Sequence, residues 1–134
     1  MVTVELPVAR LAGFLLAKIH AAYGRRATKD WYDVAFVLLH NDEGGPAAAG
    51  DCVRSMFGSE LIGATRTALG DLADNFATPL AQGPLAYAET VLEIYPGLDW
   101  DVVVNDAVIA VAKFLERLDA NRDRAPETRE APGR

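Results

Sequence analysis

Cysteine and long apolar runs are what this 134-residue sequence has least of. Its one cysteine, Cys52, excludes an intrachain disulfide and a cysteine-rich zinc site, which fits a reducing compartment. No apolar run approaches the roughly 18 residues that a membrane span needs, and the N-terminus lacks the basic and apolar regions of a signal peptide. We therefore expect a cytoplasmic protein with no membrane partner.

Basic residues are also in short supply. The chain has 13 Lys and Arg against 19 Asp and Glu, which gives a formal net charge of -6. A general binder of nucleic-acid backbones needs a broad basic face that displaces counterions. We therefore expect no broad nucleic-acid-binding surface. The hydrophobic fraction of 51% supplies one core, and one domain is the expectation for this length.

Hydrophobic periodicity predicts an all-α fold, a bundle of about five to six helices. Residues 2–6 alternate in the manner of one short N-terminal strand before Pro7, and residues 121–134 lack the large apolar residues that would anchor them. We thus predict a helical domain over residues 1–120 and a disordered C-terminal tail over 121–134. The predicted helices span residues 8–23, 28–40, 46–56, 59–76, 79–94 and 99–119.

Three local signals refine the helix ends. Gly24 is placed where a glycine would terminate the first helix. Thr28 and Ser59 are placed where a hydroxyl would cap the N-terminus of a helix.

The second helix is apolar around more than half of its circumference, which predicts that it contacts neighbours on several sides.

Lys18 occupies an unusual position in the first predicted helix. Its side chain leaves from the middle of the apolar stripe formed by Leu11, Phe14, Leu15 and Ala22. Burying an isolated charge costs several kcal/mol, so the lysine must extend to solvent or pair with a carboxylate. We predict Asp30 as its partner.

Acidic and basic residues are concentrated between Lys18 and Asp33. Helical spacing places Asp33 one turn after Asp30, so both carboxylates can face one cleft. Arg25, Arg26 and Lys29 lie just upstream. This composition suits a site for a triphosphate and its magnesium ions. Spacing alone favours a simpler hypothesis, a buried Lys18–Asp30 salt bridge that joins two helices, with Asp33 capping a helix or paired with an arginine.

The same region resembles a motif of the AbiEii/AbiGii-type nucleotidyltransferase toxin family. In that family a strand and a proline lead into a helix with a Leu-Ala-x-Lys-hydrophobic-x-Ala pattern, an arginine follows, and a Lys/Arg-Asp-hydrophobic-Tyr-Asp motif opens the next helix. The corresponding residues here are Leu6-Pro7, Leu15-Leu16-Ala17-Lys18-Ile19-His20-Ala21, Arg25 or Arg26, and Lys29-Asp30-Trp31-Tyr32-Asp33-Val34. The resemblance covers roughly residues 4–40.

The resemblance implies roles for the residues that match the motif. Lys18 and Asp30 would be the catalytic residues, with Lys18 contacting nucleotide phosphates. Tyr32 and Asp33 would belong to the structural and polar surround of the motif. The nucleotide-binding residues that we predict are Lys18, Arg25, Arg26, Lys29 and Asp33.

The sequence departs from the family in one important respect. Family enzymes begin with a Gly-Ser motif and acidic residues that bind two metal ions and the nucleotide. The only Gly-Ser pair here, Gly58-Ser59, follows the Lys and Asp motifs and lacks the acidic strand, so no metal site is predicted. A positioned metal pair activates the attacking group in such transfers. We therefore expect the chain alone to be inactive.

The resemblance predicts the C-terminal helical half of a bacterial toxin that transfers nucleotides, truncated or split from its N-terminal half. Magnesium and a nucleoside triphosphate would be cofactors only when that half completes the site, and none otherwise. An antitoxin or a separately encoded N-terminal half is the expected partner, and a homo-oligomer stays open. The alternatives are a non-catalytic helical module for protein interaction and a remnant without activity.

Overall fold

The structure is a computed structural model that describes the backbone of residues 8–133 and the side chains of residues 9–119. In this range the chain folds as the predicted all-α bundle. Residues 2–6, where a strand was predicted, lie outside the described part, as do the side chains of residues 120–134. The predicted disorder of residues 121–134 stays a prediction. The helices are α1 Val8–Arg25, α2 Thr28–His40, α3 Gly45–Phe57, α4 Gly63–Asn75, α5 Gln82–Ile94 and α6 Trp100–Gly133, with a 3-10 helix at Gly58–Glu60.

The second helix lies inside the bundle, as its apolar circumference predicts. It contacts α1, α3, α5 and α6. Its fully buried side chains include Trp31, Val34 and Leu38, which belong to one core shared with Phe114 of α6. Burial of such side chains stabilises the fold by about 1.5–3 kcal/mol each. The motif residues of α2 therefore sit on a helix that is held from several sides.

The turn between α1 and α2 differs from the prediction. Gly24 lies inside α1, and the residue with left-handed backbone geometry is Arg26, with φ of 58°. The backbone N–H of Arg26 donates to the carbonyl of Ala22 and closes the helix end. Thr28 begins α2 and does not cap it, since the N-cap residue is Ala27. Both cap predictions at this turn were wrong, although the bounds of α2 were correct.

Asn41 organises the connection from α2 to α3. Its amide nitrogen donates to the carbonyls of Val37, Leu38 and Gly45, and its amide oxygen accepts the N–H groups of Glu43 and Gly45. The side chain is buried and fully hydrogen-bonded, as a buried amide should be. It fixes where α2 ends and how α3 leaves it.

The predicted helix 59–76 is interrupted. Residues Gly58–Glu60 form a 3-10 turn, Ile62 is extended, and Gly63 has a φ of 57°. Leu61 between them is buried in the core. The chain is therefore not helical where Leu61 is buried. Ser59 is part of the 3-10 turn and caps no helix, so its predicted role as an N-cap was wrong.

None of the described helices has the length and apolar character of a membrane span.

Candidate functional site: an ion-pair cluster between the first two helices

Lys18 lies at the centre of the candidate site. Its ammonium nitrogen is 3.4 Å from Asp30 Oδ1 and 2.7 Å from Asp33 Oδ2, so the predicted pairing with Asp30 is present and Asp33 joins it. The aliphatic stem leaves from the apolar face of α1, and the nitrogen is 5.8 Å from the centre of the Phe14 ring. The Lys18 side chain keeps 22% of its surface exposed. It therefore reaches out of the core to two carboxylates.

Arg25 forms the closest contact with the buried carboxylate. Its Nη2 donates to Asp30 Oδ1 at 2.8 Å and its Nε donates to Asp30 Oδ2 at 3.2 Å. This two-point geometry is the strongest arrangement for an arginine and a carboxylate. Asp30 is only 1% exposed, whereas Arg25 is 65% exposed. The guanidinium group thus covers Asp30 and faces solvent.

Lys29 completes the cluster from the outside. Its Nζ donates to Asp33 Oδ2 at 3.2 Å and to Oδ1 at 3.4 Å, across one turn of α2. The Lys29 side chain is 77% exposed. We call Lys18, Arg25, Lys29, Asp30 and Asp33 the ion cluster. Its three cations and two carboxylates leave one net positive charge on a chain of net charge -6.

Hydrogen bonding sets the ionisation of the cluster. The hydrogen bond to Asp33 raises the pKa of Lys18 despite the opposing effect of desolvation. Burial alone would raise the pKa of Asp30, but the hydrogen bonds and charges of Arg25 and Lys18 outweigh it and lower that pKa. Opposite charges within hydrogen-bonding distance favour the charged forms. Lys18, Arg25 and Asp30 are therefore ionised at neutral pH.

Arg26 does not join the ion cluster. Its Nη1 donates to both carboxylate oxygens of Asp71 in α4, at 3.0 and 3.1 Å. The guanidinium carbon lies 5.5 Å from the centre of the Trp31 ring, a cation–π contact. Of the predicted nucleotide-binding residues, the structure brings Lys18, Arg25, Lys29 and Asp33 together with Asp30, and it turns Arg26 to a different carboxylate.

The other sequence candidates lie apart from the cluster. Gly58 and Ser59 line a different cavity, together with Arg54 and Arg66. His20 contacts the hydroxyl of Thr65, whereas His40 is half-buried at the end of α2, 3.5 Å from the hydroxyl of Tyr87. In residues 9–119 no group of three or more histidine, cysteine or acidic side chains could hold a metal ion.

The arrangement can bind an anion more readily than a cation. Both oxygens of Asp30 accept N–H groups, and Asp33 is paired with two lysines, so neither carboxylate is free for a metal ion. By contrast, Arg25 and Lys29 have N–H donors beyond those used within the cluster.

Comparisons with protein-family profiles, curated proteins and solved structures find no match. Membership of the AbiEii-type family therefore stays a prediction.

Proposed function

We propose that this chain supplies the helical half of an AbiEii-like nucleotidyltransferase toxin of a bacterial toxin–antitoxin system. In this proposal Lys18 and Asp30 belong to a nucleotide site, and residues 1–134 alone do not transfer nucleotides. The observation that supports it is the convergence of Lys18, Arg25 and Lys29 on two adjacent carboxylates at the α1–α2 turn. These are residues of the motif that the sequence resembles.

Phosphate binding by the ion cluster would use its exposed cations. Arg25 engages Asp30 through Nε and Nη2, which leaves further N–H groups of the guanidinium for a phosphate oxygen. Lys29 is mostly exposed and, among residues 9–119, is paired only with Asp33. A triphosphate offers several anionic oxygens, and hydrogen bonds between charged partners are the stronger kind. Asp30 would act as the positioning residue that holds Arg25 and Lys18 in place.

Magnesium would require ligands from outside the ion cluster. Nucleotidyl transfer depends on carboxylates that hold metal ions beside the reacting phosphate. Both carboxylates of the ion cluster are occupied by cationic side chains, so they do not fit that role. We therefore assign the metal ligands to an N-terminal half in another segment or another chain, and we assign no transfer step to this domain.

The alternative is a non-catalytic helical module for protein interaction, in which the ion cluster is structural. One observation favours it: each cation of the cluster already has a carboxylate partner. Such a network would hold α1 against α2 without any ligand. The two hypotheses differ in whether phosphate binds here.

Isothermal titration with each nucleoside triphosphate and magnesium tests the proposal. We expect saturable binding that is weakened about tenfold or more in Arg25→Gln/Lys29→Gln, because charge-assisted hydrogen bonds to phosphate are lost. Lys29→Gln alone leaves the partners of Asp30 intact and should give an intermediate loss. The matched control is Arg10→Gln/Lys113→Gln, which removes two exposed cations elsewhere.

Circular dichroism of each variant establishes that it is folded. Equal affinity in the cluster variant and the control would contradict a nucleotide site at the ion cluster. No binding by the folded native chain would favour the interaction module.

A further inference from the structure

One long segment of the chain has no basic residue. Residues 67–112 contain no Lys, Arg or His, although they build most of α4, all of α5 and the start of α6. The same segment has seven acidic residues: Asp71, Asp74, Glu89, Glu93, Asp99, Asp101 and Asp106. Among the side chains that the structure describes, Asp71 is the one acidic residue of this segment with an ion-pair partner, which is Arg26.

An aromatic cavity opens between this segment and α2. Its volume is about 280 Å³. The ring of Tyr32 stacks on those of Phe36 and Tyr87, with centres 5.6 and 5.8 Å apart. Burial lowers the pKa of His40, so the imidazole is uncharged at neutral pH. The cavity lining consists of Tyr32, Phe36, His40, Tyr87, Val91, Ile94 and Tyr95.

Exposed apolar side chains occur at the C-terminal end of α5, beside the cavity, and in the connection to α6. Ile94 and Tyr95 both line the cavity and face solvent, and Leu98 and Trp100 follow them in the chain. These four side chains keep 40–57% of their surface exposed. Large apolar side chains that cluster in this way at a surface indicate a binding site more often than scattered ones do.

The first turns of α6 carry further exposed apolar side chains. Val102 and Ile109 are about half exposed and lie seven positions apart, on the same side of the helix. Asp106 lies between them. Burial raises the pKa of Tyr87 to about 12, and the negative charge of Asp106 adds to this effect, so Asp106 lies near the cavity wall. Asp99 and Asp101 are exposed beside Trp100. The apolar groove therefore has an acidic rim.

We propose that this groove, formed by the aromatic cavity with Leu98, Trp100, Val102 and Ile109, binds a basic amphipathic segment of a partner protein. An apolar anchor side chain of the partner would enter the cavity, as helices do when they dock in hydrophobic grooves. Lysine or arginine residues flanking the anchor would face Asp99, Asp101 and Asp106. A second copy of this chain is the poorer occupant, since a symmetric pairing of two identical acidic rims would be repulsive.

This inference does not depend on nucleotide binding. It uses the cavity between α2 and α5 with the start of α6, whereas the proposed nucleotide site uses the side chains of Lys18, Arg25 and Lys29, none of which lines that cavity. Failure of either proposal therefore leaves the other standing.

Fluorescence anisotropy with a labelled helical peptide tests the inference. The peptide has leucine and tryptophan at positions i, i+3, i+4 and i+7 and lysine or arginine elsewhere. One control peptide has glutamate at the basic positions, and a second has the same composition with the apolar stripe broken. We expect saturable binding of the first peptide, weakened by added salt, and none of the controls.

Variants of the chain locate the bound peptide. Ile94→Ser/Leu98→Ser should weaken binding about fivefold or more, whereas the control Leu80→Ser, at an exposed leucine beyond the other end of α5, should not.

A second set of variants tests the acidic rim. The triple variant Asp99→Asn/Asp101→Asn/Asp106→Asn should also weaken peptide binding and reduce the salt dependence of that binding. The charge-matched control is Asp42→Asn/Glu43→Gln/Asp74→Asn. Asparagine at position 99 can still accept the backbone N–H of Asp101.

Three outcomes would overturn the inference. The first is no binding of the basic peptide by the folded chain. The second is equal binding of the acidic peptide, which would reduce the groove to a non-selective apolar surface. The third is a dimer of the native chain, measured by light scattering, that Ile94→Ser/Leu98→Ser dissociates. That result would make a second copy the occupant.

Discussion

Asp30 is a buried carboxylate that two helices share. Its oxygens accept three hydrogen bonds, one from Lys18 and two from Arg25, and its surface is 1% exposed. Both donors come from α1, whereas Asp30 lies in the first turn of α2. The residue therefore links the start of α2 to α1, whatever the cluster binds.

Substitution of Asp30 should cost more stability than substitution of its exposed neighbour. We expect Asp30→Asn to lower the free energy of unfolding by about 2 kcal/mol, because hydrogen bonds to a charged group are lost. Lys29→Ala should change it by less than about 0.5 kcal/mol, since exposed ion pairs contribute little. Urea denaturation measures both. Equal losses in the two variants would contradict a buried anchor at Asp30.

The stabilisation by Asp30 should depend on pH. The folded state lowers the pKa of Asp30, so its contribution is present above the unfolded value of about 3.9 and is lost as pH falls through the lower folded value. The contribution of Lys18 to stability depends on pH in the opposite direction. Its pKa is raised in the folded state, so this contribution is lost only at strongly alkaline pH. The gap in unfolding free energy between native chain and Asp30→Asn should therefore close below pH 4. A gap that stays constant down to pH 2 would contradict this assignment.

Part of the site followed from the sequence alone. Lys18 in an apolar stripe needed a carboxylate, and the predicted partner, Asp30, lies 3.4 Å from its ammonium nitrogen. The nearer contact of Lys18, with Asp33 at 2.7 Å, was not predicted. The bidentate contact of Arg25 with Asp30 was not predicted, because it depends on the sharp turn at Arg26. The pairing of Arg26 with Asp71 spans 45 positions, and only the packing of α4 brings them together.

At the level of helices, local signals predicted some boundaries and missed others. The end of α2 at His40 agrees with the prediction, because Asn41 and the glycines after it terminate the helix, whereas Thr28 is its first residue and not its N-cap. The predicted start of the helix 59–76 was wrong, since no local signal reveals that Leu61 enters the core in a non-helical segment. The later part of that prediction is confirmed as α4, Gly63–Asn75. The start of α5 was placed three residues early, at the proline of Thr78-Pro79, which lies in a turn.

Two helical glycines should respond in opposite ways to alanine. A Cβ at Gly50 in α3 would lie 2.6 Å from the carbonyl oxygen of Phe114, whereas a Cβ at Gly70 in α4 would meet no atom within 4 Å. We expect Gly50→Ala to destabilise the fold by about 1–3 kcal/mol through overpacking. Gly70→Ala should stabilise it by about 0.5–1 kcal/mol through helix propensity. Thermal unfolding of both variants measures the difference, and a stable Gly50→Ala protein would contradict the close α3–α6 contact.

The whole molecule distributes its charge unevenly. The ion cluster is cationic overall, whereas residues 67–112 have no basic residue at all. The composition predicts the overall acidity, but the pairing of the basic residues depends on tertiary structure. The two proposed binding regions are therefore opposite in charge, one suited to phosphate and the other to a basic protein segment.

Residue-resolved NMR titration of the native chain with a nucleoside triphosphate and magnesium tests the nucleotide proposal most directly. The alternative location for an anion is the cavity lined by Arg54, Ser59 and Arg66. We predict that the largest shifts of backbone amide signals occur at residues 18 and 25–33. The largest shifts at residues 54–66, or none at all, would contradict a nucleotide site at the ion cluster.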